Sequence, residues 1–117
     1  MDLELISFDD PVETRTFEKG RFELYRVGPA TIGRATYEPG WQWSKHVGPE
    51  VGAARCHVEH VGMVVSGTAT VAFDDGTVVE LRPGAHFWVP ATPHDSWVVG
   101  DERYVSLHFM GADSYAK

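Results

Sequence analysis

His46, Cys56, His60 and His94 are the side chains of this 117-residue chain whose types and spacing best fit a transition-metal site. The first three lie between Gly40 and Gly67, and His94 follows a proline-bounded loop further along the chain. Imidazole nitrogen and thiolate sulfur are good donors for zinc and other late first-row metals, and three or four converging donors make a site. Because the sequence contains no CxxC or HExxH motif, the fold itself must bring these donors together.

Strand geometry decides which of these side chains share a face. In an extended segment side chains alternate, so Cys56 and His60 lie on one side and His57 and Glu59 on the other. Cys56 has two open interpretations, a small buried apolar residue or a thiolate that closes a tetrahedral zinc shell. The remaining histidines are interpreted as structural or exposed residues, and replacing His108 by Ala is expected to leave metal binding intact; this group comprises His57, His86 and His108.

Two carboxylates lie near the candidate ligands in sequence. Asp95 directly follows His94 and could orient a ligand imidazole, or it could simply cap a turn. Glu50 could reach into the site from its loop as an acid, a base or a replacement ligand. Most of the four tryptophans are expected in the core, with one or two at a pocket mouth.

The composition argues against several classes of partner. Ten basic against seventeen acidic side chains give a net charge of −7, whereas nucleic acids and anionic membranes attract clustered Lys and Arg. The single cysteine excludes an intrachain disulfide. The N-terminus lacks the features of a signal peptide and no stretch resembles a membrane span, so a cytoplasmic location is expected.

Short β-rich runs separated by Gly and Pro fill the chain from Phe22 onward, and no long stretch keeps the apolar period of a helix. Trp41 and Trp43 share one face of one predicted strand, and Asp74-Asp75-Gly76 predicts a hairpin turn. Eight or nine strands at this spacing predict an all-β fold, a single antiparallel β-barrel or jelly roll. Residues 1–117 are expected to form one domain, with core motifs in residues 40–109 and N-terminal strands in residues 1–39 that extend the barrel or a dimer interface.

Glycine, histidine and proline recur in these motifs with fixed spacing. Gly40 precedes His46 by six positions, Gly67 follows His60 by seven, and Gly84 precedes Pro90 by six, with His94 four positions further on. The residues with this spacing are Gly40, His46, His60 and Gly67, then Gly84, Pro90 and His94. In order and spacing, the chain from Gly40 to about Phe109 resembles the cupins, a family of small jelly-roll β-barrels.

The chain departs from the family pattern at three positions. Gly48 replaces the second histidine of the His-x-His pair, His60 replaces the glutamate ligand, and Thr92 stands where glycine is usual. The resemblance therefore implies a divalent metal (Zn, Ni or Fe) bound by His46, His60 and His94, with Cys56 as a candidate fourth ligand. Segments throughout the chain also resemble stand-alone bacterial cupin-domain proteins, which implies no specific reaction.

The resemblance implies a metal-binding protein that accepts a small organic ligand inside the barrel. With three histidine ligands, the site would resemble iron cupins that oxygenate small substrates, which favours a dioxygenase or related oxidoreductase. If Cys56 also binds zinc, four donors fill the shell, and a non-catalytic ligand-binding or metal- and redox-sensing module is favoured. A metal-free isomerase is the third alternative. The resemblance also implies a homodimer formed through exposed N-terminal strands, especially Phe22 to Val27.

Overall fold

The computed structural model describes residues 2–117 and contains nine strands and two single-turn helices in that range. The strands are β1 (Glu13–Phe17), β2 (Gly20–Val27), β3 (Ala30–Tyr37), β4 (His60–Ser66), β5 (Thr68–Phe73), β6 (Val78–Leu81), β7 (His86–Val89), β8 (His94–Val99) and β9 (Tyr104–Met110). The helices are α1 (Trp43–His46) and α2 (Gly48–Val51). Neither helix has the length or apolarity needed to cross a bilayer.

The strands form two antiparallel sheets. The larger sheet has the order β1-β2-β3-β9-β4-β7, and the smaller one has the order β6-β5-β8. Side chains from both sheets meet in one buried cluster, which includes Phe22 and Val64 from the larger sheet and Val71 and Val98 from the smaller. The predicted all-β jelly-roll fold is confirmed. Its strands form two separate hydrogen-bonded sheets rather than one closed barrel.

The alternation of side chains along β9 determines which residues of this strand face the interior. Ser106 and His108 are buried, whereas Phe109 is exposed on the opposite face. His108 is paired with Gly62 of β4, where an added Cβ would collide with the backbone oxygen of Leu107. A glycine at this position therefore allows β4 and β9 to approach closely beside the histidine.

One sequence prediction for local structure is wrong. Trp43 does not continue a strand from Trp41, because the chain turns into α1 at Trp43. The carboxylate of Asp95 holds this turn, accepting hydrogen bonds from Gln42 Nε2 at 2.7 Å and from the Ser44 backbone N–H at 2.9 Å. In addition, residues 13–17, for which no strand was predicted, form β1 along the edge of β2.

The N-terminal strands also differ from the prediction for a dimer edge. Residues 22–27 belong to β2, which is paired on both sides, with β1 and with β3. Phe22 and Leu24 are buried in the core of the same chain. The prediction that two copies pair through β2 is therefore wrong, because β2 has no free edge. A homodimer formed through another surface stays a prediction.

Candidate metal centre

Cys56, His60 and His94 meet at the end of the fold where β4 and β8 begin. Their ligand atoms all lie within 4.8 Å of one another, and the three residues are 2%, 8% and 2% exposed. Cys56 is held beside His94 by a two-residue β-bridge, with backbone N···O distances of 2.9 and 3.1 Å. The group therefore joins the larger sheet, the smaller sheet and the loop before β4.

The imidazole of His94 has one defined tautomer. Its Nδ1 lies 2.8 Å from the backbone oxygen of Thr92, and a carbonyl can only accept, so Nδ1 carries the hydrogen. The Nε2 lone pair of His94 is therefore directed at the donor group, the arrangement seen when a backbone carbonyl orients a metal-binding histidine. Of the two roles considered for Asp95, orienting an imidazole or capping a turn, the structure shows the second, because its carboxylate accepts hydrogen bonds from Gln42 and Ser44.

The two histidines present facing nitrogens. His60 Nε2 and His94 Nε2 lie 3.4 Å apart, close to the separation of about 3.3 Å between two nitrogens bound to one tetrahedral zinc ion. Burial, followed by the neighbouring His108 and His94, lowers the pKa of His60 to about 2. Burial also lowers the pKa of His94. Both imidazoles are therefore neutral near pH 7, which is the form that binds metals.

Cys56 is a thiol in the absence of a cation. Burial, with a smaller contribution from Asp95, raises the pKa of Cys56 to about 11. A divalent ion would supply the positive charge that a buried thiolate needs, since coordinating thiols lose their proton. Two imidazoles and one thiol at these distances therefore fit a divalent transition metal.

His108 contacts His60 on the side away from the donor group, a contact that the sequence did not predict. Its Nδ1 lies 3.4 Å from His60 Nδ1, and its Nε2 lies 3.1 Å from Ser106 Oγ. When His60 offers its Nε2 lone pair to a metal, its Nδ1–H donates to His108, whose Nε2–H donates to Ser106. His108 thus orients His60 as Thr92 orients His94. The alternation of side chains along β9 predicted which residues share a face with His108. It could not predict a contact with His60, which is 48 residues away in the sequence.

The structure does not bring His46 to this group. The Nδ1 of His46 accepts a hydrogen bond from the Gln42 N–H at 3.0 Å, and its Nε2 lies 3.9 Å from a carboxylate oxygen of Glu18. Because α1 starts at Trp43, its single turn folds the imidazole back onto its own N-terminus. His46, which the cupin resemblance implied as the first ligand, therefore lies outside the group formed by Cys56, His60 and His94.

Other residues considered from the sequence lie outside the donor group. His57, Glu59 and His86 are exposed, as the alternation predicted, and Glu50 is exposed on α2. Trp88, expected mostly in the core, is 64% exposed and donates its Nε1–H to Glu59.

Comparisons with proteins of known structure identify the fold. No family model matches the sequence, and no curated protein matches it. A solved Rhizobium leguminosarum protein of unknown function is 20% identical over 92% of this chain and 95% of its own, with a TM-score of 0.64. A cupin 2 conserved barrel domain protein from Salinispora arenicola is 15% identical over 96% of this chain and 91% of its own, with a TM-score of 0.58. The chain has the cupin fold.

Larger enzymes contain a similar unit. Bacillus subtilis oxalate decarboxylase, a protein with Mn(II) centres, is 21% identical over 91% of this chain, with a TM-score of 0.54. This chain corresponds to only 28% of that enzyme. At this identity the similarity concerns the fold, and the site of this chain has to be interpreted from its own side chains.

The donor set of this chain changes the choice posed by the sequence. Because His46 lies elsewhere, Cys56, His60 and His94 could supply three ligand atoms, and a tetrahedral metal ion bound by them would keep one open position even with the thiolate as a ligand. Zinc with three protein ligands and an open fourth position is the catalytic type of site, whereas four protein ligands define the structural type. Ligation by Cys56 no longer implies a closed shell.

The interior beside His60 is almost filled. Tyr115, carried by the C-terminal turn, lies 5.5 Å from His60 between ring centroids, and its hydroxyl is 2.7 Å from that of Tyr37. Arg15 holds this turn by donating to the backbone oxygens of Ala112, Asp113 and Tyr115. The remaining cavity has a volume of about 30 Å³, close to the space that one water molecule occupies.

Proposed function

We propose that this cupin binds one divalent transition metal through Cys56 Sγ, His60 Nε2 and His94 Nε2 and presents its open coordination position to a small ligand. The observation that carries the proposal is the convergence of these three buried donors within 4.8 Å. Thr92 and His108 support it, because each holds the far nitrogen of one ligand imidazole. Such supporting hydrogen bonds accompany metal-binding histidines and fix their orientation.

The donor types favour zinc, nickel or iron over the manganese found in the oxalate decarboxylase. Manganese prefers carboxylate, carbonyl and water oxygens, while imidazole and thiolate favour softer late first-row ions. The group formed by Cys56, His60 and His94 contains no carboxylate. We therefore expect zinc or iron in the purified protein, with nickel as the third choice.

The open position is compatible with catalysis, and an oxidoreductase, including a dioxygenase, is the first enzyme class to test. A bound cation there would supply Lewis acidity or redox chemistry. The chain's own residues would hold the ion, exclude bulk water from it and fix the tautomers of His60 and His94. The small cavity beside His60 restricts any reactant inside the barrel to the size of water or a diatomic molecule.

A non-catalytic metal- or redox-sensing module is the second candidate. Its supporting observation is the burial of Cys56, whose raised pKa keeps the thiol protonated and unreactive without a cation. Loss of the metal would then exchange a thiolate ligand for a neutral buried thiol. Turnover of a substrate by the loaded protein favours the enzyme, whereas a metal- or oxidant-dependent change of structure without turnover favours the sensor.

Metal content is the direct test of the proposal. Purified protein, stripped with a chelator and reloaded, is expected to retain one zinc or iron per chain after gel filtration. His94→Ala should lose this metal because it removes the nitrogen that Thr92 orients. His46→Ala is the matched control and should retain it. A wild-type protein that cannot be reloaded, or equal loss in both variants, would contradict the assignment.

A further inference from the structure

The C-terminal turn places an aromatic ring inside the barrel. Tyr115 of this turn is 2% exposed. Its ring centroid lies 4.7 Å from that of Phe22, 5.5 Å from that of His60 and 5.6 Å from that of His108. Its hydroxyl lies 2.7 Å from the hydroxyl of Tyr37. The interior of this fold therefore packs against one phenol ring and pairs its hydroxyl with a second hydroxyl.

The wall around this ring has the composition of a small-molecule site. It combines aromatic faces with buried polar groups, namely the hydroxyl of Tyr37 and the imidazoles of His60 and His108. Aromatic walls with a few converging polar groups are typical of ligand pockets, whereas imidazoles and phenols are less often fully buried in a core than aliphatic side chains. A free phenol at the position of the Tyr115 ring would find the same partners.

The C-terminal turn comprises residues 111–117 and is attached independently of the two sheets. In the described chain, the backbone N–H groups of residues 112–117 donate to no oxygen outside the turn. Arg15 of β1 donates to three backbone oxygens of the turn, and an exposed ion pair joins Asp113 to Arg26 at 3.3 Å. Displacement of the turn would therefore break no strand pairing.

The same turn separates the barrel interior from solvent. Ser114, Ala116 and Lys117 line an open pocket on the surface, while Tyr115 lines the cavity beside His60. With the turn in place this cavity measures about 30 Å³, close to the space of one water molecule. With the turn displaced, the volume of the Tyr115 ring is added to it and opens to the surface.

We propose that the C-terminal turn occupies a ligand site of its own fold, and that a phenol-sized aromatic molecule binds there when the turn is displaced. The phenol ring packs against Phe22, His60 and His108, and its hydroxyl pairs with that of Tyr37. A role for the bound phenol at the metal centre rests on the proposed function, whereas binding in the interior does not.

The turn and the free phenol compete for one site. The apparent affinity is therefore the intrinsic affinity reduced by the fraction of molecules whose turn is displaced. Arg15 sets this fraction, because its hydrogen bonds hold the turn. Loosening the turn and removing the Tyr115 ring should both raise the affinity, although the two changes act on different residues.

The test is a fluorine NMR titration of metal-free, full-length protein with 4-fluorophenol, so that failure of metal binding does not affect it. Arg15→Gln removes the guanidinium that holds the turn and should bind about tenfold tighter than wild type. Its resonances from residues 112–117 should move toward random-coil values as the ligand saturates. Arg26→Gln, the matched control, loses only the exposed pair with Asp113 and should stay within about twofold of wild type.

Tyr115→Ala removes the competing ring and should bind 4-fluorophenol most tightly. Adding Tyr37→Phe to this variant should weaken binding about fivefold through loss of one hydrogen bond. If Tyr115→Ala does not fold, Arg15→Gln decides alone. Equal affinities in Arg15→Gln and wild type, or binding without the shift of residues 112–117, would overturn the proposal. A folded Tyr115→Ala protein that binds no 4-fluorophenol would overturn it as well.

Discussion

His60 Nε2 and His94 Nε2 lie 3.4 Å apart although these residues begin strands in different sheets. The Cys56–His94 bridge brings the thiol to the same point. This separation matches the distance between two nitrogen ligands of one tetrahedral ion. The Nδ1 of each imidazole has its own partner, the Thr92 oxygen for His94 and the His108 Nδ1 for His60. The group formed by Cys56, His60 and His94 thus lies at the junction between the two sheets.

His108 is expected to affect metal affinity without touching the metal. His108→Ala should weaken zinc binding by about 10- to 100-fold, the range for loss of a group that orients a ligand. His108→Asn is the matched control, since its side-chain oxygen can still accept from His60 Nδ1, and it should lose less. Competition with a chromophoric chelator measures both affinities. Unchanged affinity in His108→Ala would restore the sequence-based expectation that this residue is irrelevant to binding.

Metal uptake is expected to release a proton from Cys56. Because its pKa is raised to about 11 while His60 and His94 are already neutral, the thiol is the group that must ionise at pH 7 to 8. Calorimetry in buffers of different ionisation enthalpy should report close to one proton released per metal, and affinity should rise about tenfold per pH unit. Cys56→Ser should abolish this pH dependence. The same proton release in Cys56→Ser would show that the thiol is not a ligand.

The buried pair Tyr37 and Tyr115 is expected to limit stability at alkaline pH. Burial raises both pKa values above the ordinary 10. Above pH 10 the unfolded chain releases tyrosine protons that the folded protein retains, so stability is complete below pH 10 and falls as pH rises. Each tyrosine contributes a slope of at most about 1.4 kcal/mol per pH unit.

Urea unfolding between pH 8 and pH 11.5 measures this slope. The double variant Tyr37→Phe/Tyr115→Phe should flatten it relative to wild type, even if its stability at pH 8 is lower. A slope that is the same in wild type and variant would assign alkaline sensitivity to other groups, such as Tyr104, whose pKa burial raises to about 12.

Local sequence patterns predicted most of the strands. The short β-rich runs predicted from Phe22 onward include those that form β3 and β5. The resemblance carried by His60, Gly67 and His94 predicted the cupin fold, and it singled out the two histidines whose Nε2 atoms lie 3.4 Å apart. The strands themselves depend on turn chemistry and short-range alternation, which a single sequence displays.

What the sequence did not predict depends on contacts between distant residues. The helix at Trp43 follows from the Ser44–Asp95 hydrogen bond, whose partners are 51 residues apart, and this helix removes His46 from the donor group. The pairing of His60 with His108 follows from the β4–β9 register, which includes bulges. Spacing along the chain contains no record of either contact, so it could not predict that His46 lies apart from Cys56, His60 and His94.

Metal K-edge absorption spectroscopy on the loaded wild type and on Cys56→Ser tests the central claim most directly. The proposed site predicts one sulfur scatterer at about 2.3 Å and two imidazole nitrogens at about 2.0 Å, with the sulfur absent in Cys56→Ser. A wild-type spectrum composed only of nitrogen and oxygen scatterers, unchanged by Cys56→Ser, would contradict the assignment of Cys56, His60 and His94 as the metal-binding group.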